Sequence, residues 1–350
     1  MGLAIDFKDA SLGAMMLAKV GNPSREEKLL TSKTLCRFAD EEAELLTHCF
    51  LKSFRALEVH QLHHHADLSE NELFGYAAAI FDDNEGLLRE GAQIARHLHA
   101  TSSHPNIKAG DLCVALIDDV VVEGQAVQAL SIIKSENKVP FLQVSEQDGD
   151  LRLTTQQGIY PDKIDKGCLI VNHDREEGFT VYLFDKSGNT QFWNRDFVGA
   201  IPVRDEDYLT RRYSELCVSF AEQGLPEETV QEERMQVANR AISCLEDSEA
   251  FDLDDFRKVA FEEPGLADRF SEYKADYEAE TGLELEDRFR VSPAVAKRAR
   301  NRLKSRMRLD TGVELRFSSG FIRAADGFLE RGYDADKQMK FVKVYYHNEV

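Results

Sequence analysis

The chain has 350 residues, with 43 Lys and Arg against 63 Asp and Glu, and a formal net charge of −20. A hydrophobic share of 43% is enough for real cores and excludes a wholly disordered chain, and the length suits two domains better than one. No run approaches eighteen apolar residues, which excludes a membrane-spanning helix.

The opening MGLAIDFKDASLG has neither a basic n-region nor a long apolar segment, so no signal peptide is expected. Elements follow in chain order. Ala14–Val20, the Gly21-Asn22 turn and a segment after Lys28 predict an early strand pair. Asp40 opens a helix to about Phe54, with Leu45, Leu46, Cys49, Phe50 and Phe54 at helical spacing. Ser69 and Glu72 read as a capping box for a helix to about Phe81, and Asn84 as the cap of another. From Gly110 the period changes. Leu112–Ile117, Val120–Glu123, Ala126–Lys134, Pro140–Val144, Cys168–Asn172 and Thr180–Phe184 predict short strands, with Trp193 near their end. The spacing leaves no room for helical crossovers, so an antiparallel meander is expected.

A boundary is expected at Pro202–Asp207, giving a helical and β-meander domain over residues 1–204 and an acidic helical domain over 205–350. Helices are predicted at about 207–223, 227–246, 253–261 and 264–281, with Pro226 and Pro264 in first turns. Asp205 to Arg290 holds 25 acidic and 10 basic residues, a net of −15. A basic helix over 293–309 follows, then strands at Val313–Phe317 and Lys340–Tyr346, an order compatible with a winged-helix element. The fold class is α+β: N-terminal helices plus an antiparallel β-meander, then a mostly helical domain ending in strands.

The sharpest local feature is SPAVAKRARNRLKSRMR, residues 292–308, with seven basic residues and no acidic one. Ser292 is a good N-cap and Pro293 suits the first helical position. Continued as one helix, Val295, Ala299, Leu303 and Met307 form an apolar seam. Lys297, Arg300, Lys304 and Arg308 then form a stripe roughly 16 Å long facing away from it, flanked by Arg298, Arg302 and Arg306. Such a stripe fits two or three duplex phosphates. It equally fits docking against the acidic segment before it, and like charges at i,i+4 require an anionic surface nearby. The net charge of −20 repels a polyanion at long range, so a DNA binder of this composition must segregate its charges.

Two other features carry weaker chemistry. His60, His63, His64, His65 and Asp67 invite a metal reading, His60 and His64 sharing a face if helical, but a solvated loop or helix end accounts for them. Lys134-Ser135-Glu136-Asn137-Lys138 reads as a polar turn between strands; a nuclease would need carboxylates arranged around a metal. The six cysteines, Cys36, Cys49, Cys113, Cys168, Cys217 and Cys244, include no C-x-x-C, and reduced thiols are expected. The Walker, dinucleotide-binding, zincin and G-x-S-x-G patterns are absent, which removes the commonest nucleotide and hydrolase readings but no enzyme whose residues converge only in space.

Several segments taken together resemble a known family. They are Val20-Gly21-Asn22 with Arg25-Glu26-Glu27; His64-x-x-Asp67-Leu68-x-x-Asn71-Glu72; His104-Pro105; Gly110-Asp111; and Lys134-Ser135-Glu136-Asn137-Lys138. Asp165-Lys166-Gly167-Cys168-Leu169-Ile170, Trp193 near Asp196-Phe197, and Gly332-Tyr333-Asp334 complete the series. In this order they resemble the bacterial nucleoid-associated family NdpA, the 37-kDa nucleoid-associated proteins. The resemblance implies a cytoplasmic, nucleoid-located, non-enzymatic protein associated with double-stranded DNA, with no cofactor and no catalytic residues to carry over. It also implies a type II topoisomerase subunit as a partner, so an acidic protein-interaction module that modulates such an enzyme is the alternative. A hydrolase or nuclease using the His cluster or Lys134–Lys138 is a third reading.

Overall fold

The computed structural model of the chain describes residues 5–54, 57–147, 149–188, 191–261, 264–303, 305–308, 311–317 and 329–347. The chain divides into two compact units that part between Val203 and Arg204.

The N-terminal unit is built on one antiparallel sheet. In chain order its elements are β1 (Ile5–Asp6), β2 (Ser11–Val20), β3 (Leu30–Thr31), α1 (Asp40–Leu51), β4 (Val59–Leu62), α2 (Glu72–Asp82) and α3 (Leu87–Thr101). There follow β5 (Gly110–Val122), β6 (Gln125–Ser135), β7 (Val139–Gln147), β8 (Asp150–Gly158), β9 (Lys166–Val171), β10 (Thr180–Asp185), a π-helical turn (Gln191–Val198) and β11 (Ala200–Pro202). The strand order is β11-β4-β10-β9-β6-β5-β2-β3, with β1 also on β5.

The sequence sets this sheet by its period of two. Leu112, Val114 and Leu116 of β5 join one core with residues of α2 and α3, while Cys113, Ala115 and Ile117 join the core that includes residues of α1. β6 and β9 alternate in the same way, so the central strands are buried on both faces and read as unbroken apolar runs. Glu123 and Gly124 both take positive φ, as a two-residue hairpin turn between Val122 and Gln125 requires.

The meander expectation holds only in part. β7 and β8 leave the sheet as a separate two-stranded ribbon between β6 and β9, exposing Leu142, Val144, Leu151 and Leu153. β4, from the expected helical region, enters at the far edge of the sheet between β10 and β11. Long-range pairing decides both points, and local periodicity does not record it. His60 is therefore buried on β4 and shares no helix with His64.

The caps also differ from the sequence reading. Asn71, not Ser69, caps α2 by accepting from the Phe74 amide at 2.9 Å. Asp83 caps the short turn before α3, in place of Asn84. Asn71 Nδ2 additionally donates to the carbonyls of His63, Val198 and Gly199 at 3.0–3.1 Å. One side chain thus ties three chain segments, and its cap role follows from that position. Gly199 lies beside it with φ +65°, and a Cβ there would meet Asn71 Nδ2 at 2.5 Å.

The second unit comprises α4 (Glu206–Ser219), α5 (Gln231–Glu246), β12 (Ala250–Asp252), α6 (Leu253–Ala260), α7 (Pro264–Thr281), β13 (Arg288–Arg290) and α8 (Pro293–Arg302). Tyr213, Phe220, Phe251, Phe256, Phe261 and Phe270 form its aromatic core. Two hairpins follow, β14 (Ser305–Arg308) with β15 (Glu314–Phe317), and β16 (Leu329–Asp334) with β17 (Met339–Val344). Pro226 lies in the loop before α5 rather than in its first turn, because that helix starts only at Gln231.

Candidate nucleic-acid interface

The basic segment starts as its sequence predicts. Ser292 caps α8, its Oγ accepting from the Val295 amide at 3.4 Å, and its own amide donates to Thr210 Oγ1 of α4 at 2.9 Å. Val295 and Ala296 are buried, and Ala299 and Leu303 pack on the same aromatic core. This apolar seam fixes which side of α8 reaches water.

The helix ends earlier than expected. It stops at Arg302, and Leu303 already leaves the helical region with ψ 94°. Ser305–Arg308 is a strand, in register with Glu314–Phe317, so Arg306 and Arg308 belong to β14 and not to a helical stripe. Lys304 lies outside the described residues. Met307, four residues beyond Leu303, supported the helical seam, but Ser305-Arg306-Met307-Arg308 also alternates as a strand does. Pairing with β15 selects the second pattern, and ending the helix also removes several i,i+4 repulsions between cations.

The cations within α8 have two fates. Arg300 is mostly buried and ion-paired with Glu246 of α5, side-chain exposures being 18% and 22%. Docking on the acidic segment, one of the two sequence readings, thus describes this residue. Lys297, Arg298 and Arg302 are exposed and have no acidic partner among the described residues. They span about 7.5 Å of helix. Arg290 of β13, two residues before the cap, is exposed as well and was not singled out by the charge run. Its signal was the alternation Arg288-Phe289-Arg290, in which Phe289 packs inward and the arginines point out.

The other candidate segments have structural explanations. Among the described residues no group of three or more His, Cys, Asp or Glu side chains is placed to hold a metal. The His64 and His65 rings contact each other at 4.2 Å, and Asp67 accepts from Ser69, which holds its carboxyl below the usual carboxylate range. Lys134-Ser135-Glu136-Asn137-Lys138 does join two strands, β6 and β7, with Asn137 and Lys138 exposed, but its first residues are buried. Lys134 is fully buried and bonds Glu136 Oε1 at 2.9 Å and the Lys108 carbonyl at 2.8 Å. Lys166, also buried, bonds Asp185 Oδ1 at 2.8 Å and lies 3.9 Å from Glu136 Oε1. Asp165 accepts from the amides of Glu136 and Asn137 and from Asn137 Nδ2. Burial is the main cause that pushes the Lys134 ammonium below the ordinary lysine range, with Glu136 opposing it.

All the segments that carried the family resemblance except Gly332-Tyr333-Asp334 lie in the N-terminal unit. Asn22 binds the carbonyls of His104 and Ile107 at 2.9 and 2.8 Å, and Trp193 Nε1 donates to the Gly167 carbonyl at 3.1 Å. Among the described residues no helix is long and apolar enough to cross a membrane. No curated protein matches the chain. The family model described as nucleoid-associated protein YejK matches residues 19–338. This is nearly the whole chain and the kind of family its motifs resemble, so the chain belongs to the nucleoid-associated protein YejK family.

Proposed function

We propose that the chain is a non-enzymatic nucleoid protein of the bacterial cytoplasm that contacts double-stranded DNA with little sequence preference. The observation that carries this reading is the exposed trio Lys297, Arg298 and Arg302, free of acidic partners among the described residues, in a unit otherwise rich in acid. Exposed Lys and Arg neutralise phosphates and release counterions, and that interaction carries no sequence information. Arg290 extends the contact set. Arg300 is outside it, because its guanidinium is already paired with Glu246.

A labelled duplex of ~30 base pairs, titrated across roughly 50 to 200 mM salt, tests the reading. A steep fall of affinity with salt, flattened in K297E/R298E/R302E, is the expected result. A slope unchanged in that variant removes the assigned surface. No binding at the lowest salt shifts the nucleoid association to a protein partner, with the acidic helices as the surface to map. That is the alternative which the net −15 between Asp205 and Arg290 favours.

A further inference from the structure

The N-terminal unit holds a cavity of about 730 Å³, within the range of small-molecule sites. Its wall is assembled from the loop after α3, the loop after β6, the start of β9, the loop after β10 and the π-helical turn. Two of its lining residues, Glu136 and Lys166, belong to a row of buried charges of alternating sign: Lys134, Glu136, Lys166 and Asp185, with side-chain exposures of 0%, 4%, 2% and 0%. Stability alone does not ask for such a row, since well-packed apolar side chains serve a core as well or better. Buried ion networks beside a polar cleft are where proteins position charge for a ligand.

The charge balance around the cavity indicates what it takes. Each carboxylate there already has a partner, although the buried Oδ2 of Asp185 has none of its own among the described residues. Glu136 is held by Lys134, Asp185 by Lys166, Asp196 by Arg195, and Asp165 by two amides and Asn137. Two lysines on the lining are not. Lys108 and Lys186 are exposed and have no acidic partner among the described residues; Lys108 Nζ reaches only the Asn137 amide oxygen at 3.3 Å, and Lys186 Nζ lies 5.1 Å from the centre of the Phe184 ring. The lining therefore keeps two uncommitted point charges beside neutral hydrogen-bonding side chains such as Asn106 and Gln191. Two ammonium groups match a phosphate dianion in charge and in their freedom to adapt to its oxygens.

We infer that this cavity binds a phosphate monoester, with Lys108 and Lys186 as the anion-holding side chains and the Lys166 network fixing the wall behind them. The same group is supplied by a free nucleotide or by the 5′-phosphorylated end of a DNA strand. The inference is independent of the duplex-binding reading, because every residue in it belongs to the other unit.

Calorimetric titration of the full chain tests it with adenosine 5′-monophosphate, adenosine, and a short single strand carrying either a 5′-phosphate or a 5′-hydroxyl. A phosphorylated probe should bind and its unphosphorylated counterpart should not. K108Q/K186Q should weaken that binding at least tenfold while unfolding at the same temperature as the parent chain. Preference for the nucleotide or for the strand identifies the source. K297E/R298E/R302E should bind these probes as the parent does, which keeps this site separate from α8. Absence of binding by both phosphorylated probes, or binding undiminished in K108Q/K186Q, overturns the inference.

Discussion

Lys134, the first lysine of Lys134–Lys138, and most of the cations of α8 end in opposite environments. In Lys134–Lys138 the first lysine is fully buried, and Lys166 joins it through Glu136. In α8, Lys297, Arg298 and Arg302 stand in water, and among the described residues only Arg300 of these four has found a carboxylate. The difference lies in the elements that carry them. Lys134 ends β6, a central strand covered on both faces, so its side chain has no route to solvent and must be neutralised where it lies. α8 has a single apolar seam on the aromatic core, and side chains away from that seam keep their hydration. Local charge density thus says little about availability; the number of covered faces decides it.

The largest effect that can break this comparison is expected at Lys166. Lys166→Met leaves Asp185 buried without its cation and should cost about 3–5 kcal/mol in urea unfolding. The paired change K166M/D185L should recover a good part of that. A K166M chain as stable as the parent would mean that the buried row does not hold the sheet end.

Charge reversal on α8 comes next. K297E/R298E/R302E should lower duplex affinity about a hundredfold and reduce the salt slope by about 2.7, with unfolding nearly unchanged. Loss of affinity together with loss of fold would instead assign these cations to structure.

Arg300→Ala should show the reverse pattern at a smaller scale. Removing a partly buried ion pair should cost about 1 kcal/mol of stability and leave the salt slope as it is. A flattened slope in that variant would place Arg300 among the DNA contacts.

The smallest effect concerns protons. Burial lowers the folded-state affinity of Lys134 for its proton below that of the unfolded chain, whose reference value is 10.5. Between the folded value and 10.5 the unfolded chain binds more protons, so stability from this group is complete above 10.5 and lost as pH falls through the folded value. The stability of the parent chain minus that of K134M should therefore rise with pH on approaching 10.5. A flat difference would mean that the lysine is hydrated.

Much of the fold was legible because its signals are local. The alternation in residues 110–135 places β5 and β6, and the apolar spacing after Asp40 places α1. Ser292-Pro293 marks the start of α8 because an N-cap hydroxyl and a proline at the first helical position act over one turn. The candidate interface was legible to the same extent: its first cations lie on α8 as expected, while Arg306 and Arg308 do not.

What the sequence by itself determined is the α+β class, the caps and periods of its strongest elements, the segregation of acid from base, and the family. The tertiary structure decided the rest. The edge place of β4, the departure of the β7–β8 ribbon, the end of α8 at Arg302 and the burial of Lys134 and Lys166 all depend on partners distant in sequence. A strand's hydrogen bonds and a buried charge's counter-ion are supplied by whatever chain arrives beside them, and no local pattern encodes that arrival.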